Sequence, residues 1–321
     1  MYKVIMAPVD ISPVESPAIA VAARLARRFD GAVHLVRVLA PPIVALTVPP
    51  IKAFEITEEA LAEEREACRK ELEGLGAEVE GNYGVPVRTT LKEGRVTQTL
   101  RDHAVEIGAE VLVMSSHSRG GLQRLNLGSV TDYLIRNTHI PVFVVKPDVA
   151  FFDEASEATA RIVVPLDGSV MAEQILPEVV ALAPALNASV TLLHVLTPQT
   201  YSQKRIVQPG LPWWDADIAA ADAYLSGQAD FVATTGVAVT KDVILNTDVP
   251  GAILDYAIRN RANCIAVATN GVGGIRRFVF GTVADEVTRK SPISLLVFHP
   301  NLQLTTDSVP GTAEAAAAAG G

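Results

Sequence analysis

Two stretches of the chain carry residues whose types and spacing suit the holding of a phosphate. Val111–Val130 reads VLVMSSHSRGGLQRLNLGSV, and Ile265–Val283 reads IAVATNGVGGIRRFVFGTV. Each opens as an apolar run of buried-strand length and enters a loop rich in small residues. Each then closes on Gly-Ser or Gly-Thr, where a helix is expected to start. A phosphate at such a place needs close backbone approach, which small residues allow, and N–H donors, which a helix start supplies. Gly128-Ser129-Val130 and Gly281-Thr282-Val283 offer both. Ser129-Val-Thr-Asp132 and Thr282-Val-Ala-Asp285 also fit a capping box, which explains the same pairs without any ligand. Neither loop has the GxxxxGK[ST] or the GxGxxG spacing. Asp10 and Asp167 each close an apolar run at the start of a half. A carboxylate there suits ribose hydroxyls in the same crevice, and equally the capping of its own turn.

Other reactive side chains form no constellation. His117 lies between Ser116 and Ser118, but adjacent side chains rarely align for nucleophilic attack, no GxSxG elbow is present, and the second stretch has Asn270 at this place. His103 and His194 are expected on a helix and a strand as packing or surface residues, since no HxxxH cluster accompanies them. Cys68 and Cys264 are too few for a zinc site or a disulfide framework and are read as reduced thiols. Trp213-Trp214 follows Pro212 in a segment expected to be irregular.

The elements that position these residues alternate. Apolar runs at Val4–Ala7, Ala32–Leu39, Val85–Leu91, Val111–Met114 and Val142–Lys146 read as strands. Helical spacing or charge patterning marks a segment opening at Ser12-Pro13-Val14-Glu15 and ending near Asp30-Gly31, then Glu58–Leu75, Thr97–Ile107 and Ser129–Asn137. Such alternation calls for parallel strands with right-handed crossovers and helices on both faces of the sheet. The pattern then restarts. Arg161-Ile-Val-Val-Pro-Leu-Asp167 echoes Lys3–Asp10, Val190–Pro198 echoes Val33–Pro41, Asp255-Tyr-Ala257 echoes Asp102-His-Ala104, and Gly281-Thr-Val283 echoes Gly128-Ser-Val130. The chain is therefore read as a domain-length duplication: domain 1 at 1–148, a linker at 149–160, domain 2 at 161–301 and a low-complexity tail at 302–321, expected to be disordered.

Composition narrows the function classes. The 321 residues are 49% hydrophobic and 20% charged, enough for packed interiors, and the net charge of −9 argues against a nucleic-acid partner, which needs a basic face. No uncharged apolar stretch reaches bilayer length, and the first ten residues lack a signal-peptide h-region, so a cytoplasmic protein without membrane contact is expected.

With these residues in place, the chain resembles the universal stress proteins. Their ATP-binding members carry Gly-x2-Gly-x9-Gly-Ser/Thr after the fourth strand and an Asp after the first. The resemblance covers nearly the whole chain as two tandem adenine-nucleotide α-hydrolase-like (Rossmann-like) α/β domains, each a mostly five-stranded parallel sheet. The first half aligns as Ser115-x2-Ser118-x9-Gly128-Ser129, with both leading glycines replaced. The second aligns as Ala268-x2-Gly271-x9-Gly281-Thr282, with only the first lost. The resemblance implies that Asp10 and Asp167 contact ribose, that Val38 and Val195 line the adenine pocket, and that the loops with Gly128-Ser129-Val130 and Gly281-Thr282-Val283 hold the phosphates, Arg119 adding a cation in the first half. It implies ATP as ligand, with Mg2+ as a candidate companion, and pairing of the halves through Val142–Val145 and Leu295–Phe298, with two chains able to associate further as a homodimer. The second site ranks above the first, because serine at 118 is strained if that position needs positive φ. The leading expectation is a nucleotide-binding stress-response regulator with slow or no turnover, since no general base or metal-binding carboxylate pair is evident. The alternatives are a nucleotide-independent interaction module of the same fold and, less favoured, an adenylyl-transferring or hydrolysing enzyme.

Overall fold

The computed structural model describes residues 2–10, 16–41, 58–116, 127–146, 159–197, 213–269 and 282–300. The first half runs β1 (Val4–Pro8), α1 (Pro17–Phe29), β2 (Ala32–Leu39), α2 (Glu58–Tyr83), β3 (Val87–Glu93), α3 (Val96–Glu106), β4 (Val111–Ser115), α4 (Ser129–Asn137) and β5 (Val142–Val145). The second runs β6 (Ala160–Pro165), α5 (Val170–Glu173), α6 (Leu176–Ala185), β7 (Ala188–Leu196), α7 (Trp213–Ala233), β8 (Val239–Leu245), α8 (Val249–Arg259), β9 (Cys264–Ala268), α9 (Thr282–Lys290) and β10 (Ser294–Phe298).

The strands form one ten-stranded sheet in the order β3-β2-β1-β4-β5-β10-β9-β6-β7-β8. Within each half every pairing is parallel. The halves meet where β5 and β10 pair antiparallel, with Phe143 opposite Leu296. The expected pairing of the halves through their last strands is thus present within one chain.

Both faces of the sheet are covered. Alternate residues of each strand enter opposite cores, so that Ile5, Ala7, Ile162 and Val164 pack on the side of α1, α2, α6 and α7. Met6 and Val163 pack on the side of α3, α4, α8 and α9. This is the burial that near-continuous apolar runs predict for parallel strands. The junction is reinforced off the sheet. The Tyr2 hydroxyl donates to the Glu178 carboxylate, and Arg24 Nε donates to the Ala185 carbonyl at 2.9 Å. Both contacts tie the first half to α6.

Several boundaries differ from the sequence reading, each for a packing reason. Helix α2 continues to Tyr83 rather than stopping near Leu75, although Gly74, Gly76 and Gly81 lie in it. A Cβ at Gly76 would meet Thr89 Cγ2 at 2.6 Å, so this glycine permits close approach to β3 and is not a stop signal. Helix α1 begins at Pro17, with Asp30 left-handed at its end, φ 50°. The cap expected at Ser12 lies outside the described residues, as do most of the linker and the tail. Trp213 and Trp214 open α7 rather than an irregular segment. His103 and His194 fall on α3 and β7 as expected. The capping box at Ser129 does not form. Helix α4 starts after Gly128, which has no side-chain cap, and the Asp132 carboxylate accepts from Arg136 Nε at 2.9 Å instead.

Candidate functional site

In each half the chain leaves the first strand in one direction and returns on its other side, so the strand order reverses between β1 and β4, and again between β6 and β9. Open α/β sheets bind ligands at the carboxyl ends of strands flanking such a switch point. In the second half that place holds a cavity of about 250 Å³.

Its floor is made by strand ends: Pro165 of β6, Leu193 and Val195 of β7, and Val267 and Ala268 of β9. Val249 and Ile253 of α8 form one wall, four residues apart and hence on one helix face. Thr282, Val283 and Val287 from the start of α9 form another. Leu166, Asp167 and Ser169 close the β6 end, with Met171 and Ala172 of α5. The lining is therefore apolar with polar groups at its rim, the pattern of a small-molecule site.

Asp167 is held in a fixed pose. Its Oδ1 accepts from the Ser169 N–H at 2.9 Å and from the Ser169 hydroxyl at 2.6 Å. Ser169 in turn caps α5, its Oγ accepting from Ala172 N–H at 3.1 Å. Gly168 between them has φ 84°, a left-handed conformation in which a side chain is strained. Oδ1 thus caps the turn, the second of the two expectations for Asp167, and no described residue donates to Oδ2, at the cavity edge.

His194 and Tyr224 flank this turn from the opposite side of the sheet, their rings 6.1 Å apart. Burial lowers the His194 imidazole from its ordinary value, against the Leu166 carbonyl and the Asp167 charge, which raise it. Burial raises the Tyr224 hydroxyl, as does its hydrogen bond to Glu173 Oε1 at 2.9 Å. His194 is thus neutral near pH 7, and Asp167 is the one acidic side chain among the described lining residues.

Every described residue that the motif assigned to the second site lines this one cavity: Asp167, Val195, Ala268, Thr282 and Val283. Gly271 and Gly281 lie outside the described residues. The sequence reading missed Val249, Ile253 and Val287. Val249/Ile253 and Val283/Val287 are apolar i,i+4 pairs at the starts of helices, a pattern that marks a buried helix face without distinguishing a cavity wall from the core.

In the first half, Asp10 follows β1 and is exposed, Val38 is half-buried on β2, and Ser115 is half-buried at the end of β4. Gly128 precedes α4, Ser129 is exposed and Val130 half-buried. Ser118 and Arg119 lie outside the described residues. Asp10 is close enough to Arg37 for their charges to interact, and Arg37 occupies the position that His194 holds in the second half. Gly128 has an ordinary extended conformation, φ −63° and ψ 148°. The nearest atom to a Cβ built there is Thr131 Oγ1 at 3.9 Å. Neither backbone strain nor packing against the described residues calls for glycine at 128.

A doubly wound α/β sheet duplicated in tandem, with a cavity at one switch point, defines a tandem Rossmann-like α/β protein. The sequence profile of the Universal stress protein family matches residues 1–146 and 159–299, and the chain belongs to that family. It is 25% identical to a universal stress protein of Mycolicibacterium smegmatis over 302 residues, 92% of this chain and 97% of that one. It is 33% identical to one of Methanocaldococcus jannaschii over 147 residues, 46% of this chain and 83% of the relative. The crystal structure of a universal stress protein from Archaeoglobus fulgidus superposes with a TM-score of 0.65 at 16% identity, covering 94% of this chain and 99% of that one. At that identity the likeness speaks for the fold.

Proposed function

We propose that the chain is a stress-response regulator that binds an adenine nucleotide, ATP foremost, in the strand-end crevice of its second half. The convergence of Asp167, Val195, Ala268, Thr282 and Val283 on one cavity carries this reading. In it, Val195 and the apolar walls contact the base, the Oδ2 side of Asp167 accepts from ribose hydroxyls, and the start of α9 faces the phosphates, with Mg2+ as a candidate companion. Binding rather than turnover is assigned. The carboxylate at the cavity is already tied into its turn, and no described lining residue is placed as a second acid or base.

The first half binds more weakly or serves as an interaction module. Asp10 lies within charge range of Arg37, whose guanidinium donates to Glu71 at 2.8 Å, and the loop carries Ser115 and Ser118 in place of glycines. The test is to denature purified protein, identify any released nucleotide, and titrate ATP, ADP and AMP into stripped protein and into a Val195→Trp variant that fills the cavity. Binding by the wild type and its loss in the variant support the proposal. No carried nucleotide and no heat of binding at about 1 mM ATP, where binding is worth only about 4 kcal/mol, would overturn it.

A further inference from the structure

A second cluster of charge lies away from the cavity and joins the halves. Helices α4 and α9 are equivalent elements, one on each side of the β5–β10 seam. Asp132 and Asp285 occupy matching positions on them, and Arg136 and Arg289 follow four residues later. Arg136 Nε donates to both carboxylate oxygens of Asp132, at 2.9 and 3.0 Å. Its Nη2 reaches across the seam to Asp285 Oδ1. Arg289 Nε meets Asp285 Oδ2 at 3.0 Å. Each oxygen of Asp285 therefore has its own guanidinium, one from each half. The Arg136 side chain is 23% exposed and that of Arg289 58%, so solvent weakens the contribution of Arg136 less. Burial alone would raise the Asp285 carboxyl, and the two arginines together bring it below its ordinary value.

We infer that Arg136, a residue of the first half, is a positioning residue for the nucleotide site of the second. The inference rests on the binding reading given above. Asp285 lies in the first turn of α9, between the lining residues Ala284 and Val287 and three residues from Thr282. A helix start favours an anionic ligand, but a carboxylate in that same turn repels one unless its charge is compensated. Arg136 supplies the better-shielded half of that compensation and fixes the carboxylate towards the seam. Its removal leaves Asp285 with one largely solvated partner. The penalty then grows with the number of phosphates on the ligand and vanishes for a nucleoside.

The experiment uses the full chain as Arg136→Met, Arg136→Lys and the double variant R136M/D285N. Adenosine, AMP and ATP are titrated into each at low ionic strength, with circular dichroism to confirm folding. R136M is expected to weaken ATP on the order of 10-fold, AMP less and adenosine not at all. R136K is expected to recover part of the loss, and the double variant most of it, because it removes the uncompensated charge. Equal weakening of ATP and adenosine would show that Arg136 acts only through general support of the seam, and unchanged ATP affinity in R136M would show that it does not act on the site; either result overturns the inference. A wild type that binds none of the three ligands refutes the nucleotide reading itself and this inference with it, an outcome distinct from a wild type that binds while R136M behaves the same.

Discussion

Asp167 offers a direct test of the proposed site, because the proposal gives its two oxygens different tasks. Oδ1 holds the turn through two hydrogen bonds to Ser169, and Oδ2, to which no described residue donates, is the oxygen the proposal assigns to the ribose. Asp167→Asn keeps a carbonyl oxygen that can accept both turn bonds, but it removes the charge and places an NH2 where Oδ2 was. A hydrogen bond to a charged group is worth about 1.5–3 kcal/mol, which corresponds to roughly 10- to 150-fold in affinity. The turn bonds are preserved, so the thermal midpoint is expected to move by less than about 2 °C. Asp167→Ala loses both functions and is expected to add a stability loss of about 1–2 kcal/mol, modest because the group is exposed. The assay is calorimetric titration of ATP and 2′-deoxy-ATP into the wild type and both variants, with melting curves alongside. If Asp167 holds the ribose, the wild type prefers ATP over its deoxy analogue, and D167N loses affinity and preference together. A D167N protein that binds ATP as the wild type does would refute the assignment. So would an affinity loss that leaves the ribose preference intact.

Four further outcomes follow from the same structure. Phe143→Ala removes a fully buried ring at the β5–β10 seam and is expected to cost about 3–5 kcal/mol in denaturant unfolding. Gly31→Ala brings a Cβ to 2.7 Å from the carbonyl oxygens of Tyr2 and Lys3, with a destabilisation of about 1–3 kcal/mol expected by thermal unfolding. Gly128→Ala meets no described atom closer than 3.9 Å and is expected to cost less than about 1 kcal/mol, so any larger fall in nucleotide affinity would reflect the ligand and not the fold. His34 is buried, donates or accepts at Thr90 Oγ1 at 2.8 Å, and has its imidazole held below 6.5 by burial and by His103. A depressed imidazole binds its proton more readily in the unfolded chain, so stability is expected to fall as pH drops through 6.5, and His34→Gln to flatten that slope in unfolding curves between pH 7 and 5.

Much of this architecture was legible in the chain because it is written in local patterns. Apolar runs alternating with helical spacing fix the parallel sheet within each half, and the echo of Lys3–Asp10 in Arg161–Asp167 reveals the duplication. What stayed hidden depends on contacts between distant residues. The length of α2 was misread because Gly76 answers to Thr89 on another element, not to its own helix. The capping box at Ser129 was misread because Arg136 draws off Asp132, and Arg136 is itself held by Asp285 from the other half. The site shows the same division. Its rim residues belong to a spaced motif and were found, whereas Val249, Ile253 and Val287 look like ordinary core positions until the cavity shows what they face. The meeting of β5 and β10 has no local signature; the family resemblance anticipated that the last strands pair, and their antiparallel direction is seen only in the structure.

That seam has a consequence beyond geometry. Two separate chains pairing in this way would meet at a rate and extent set by their concentration. Here the halves share one backbone, and a tether of such length keeps partners at an effective concentration of about millimolar, however dilute the protein. The halves are also released from mutating in step. In a symmetric pair every substitution appears twice, on both sides of the seam and in both crevices, whereas each side of this junction changes alone. The first crevice is thereby free to exchange glycines for serines while its neighbour keeps Gly271 and Gly281. A single chain can therefore carry two crevices of different composition.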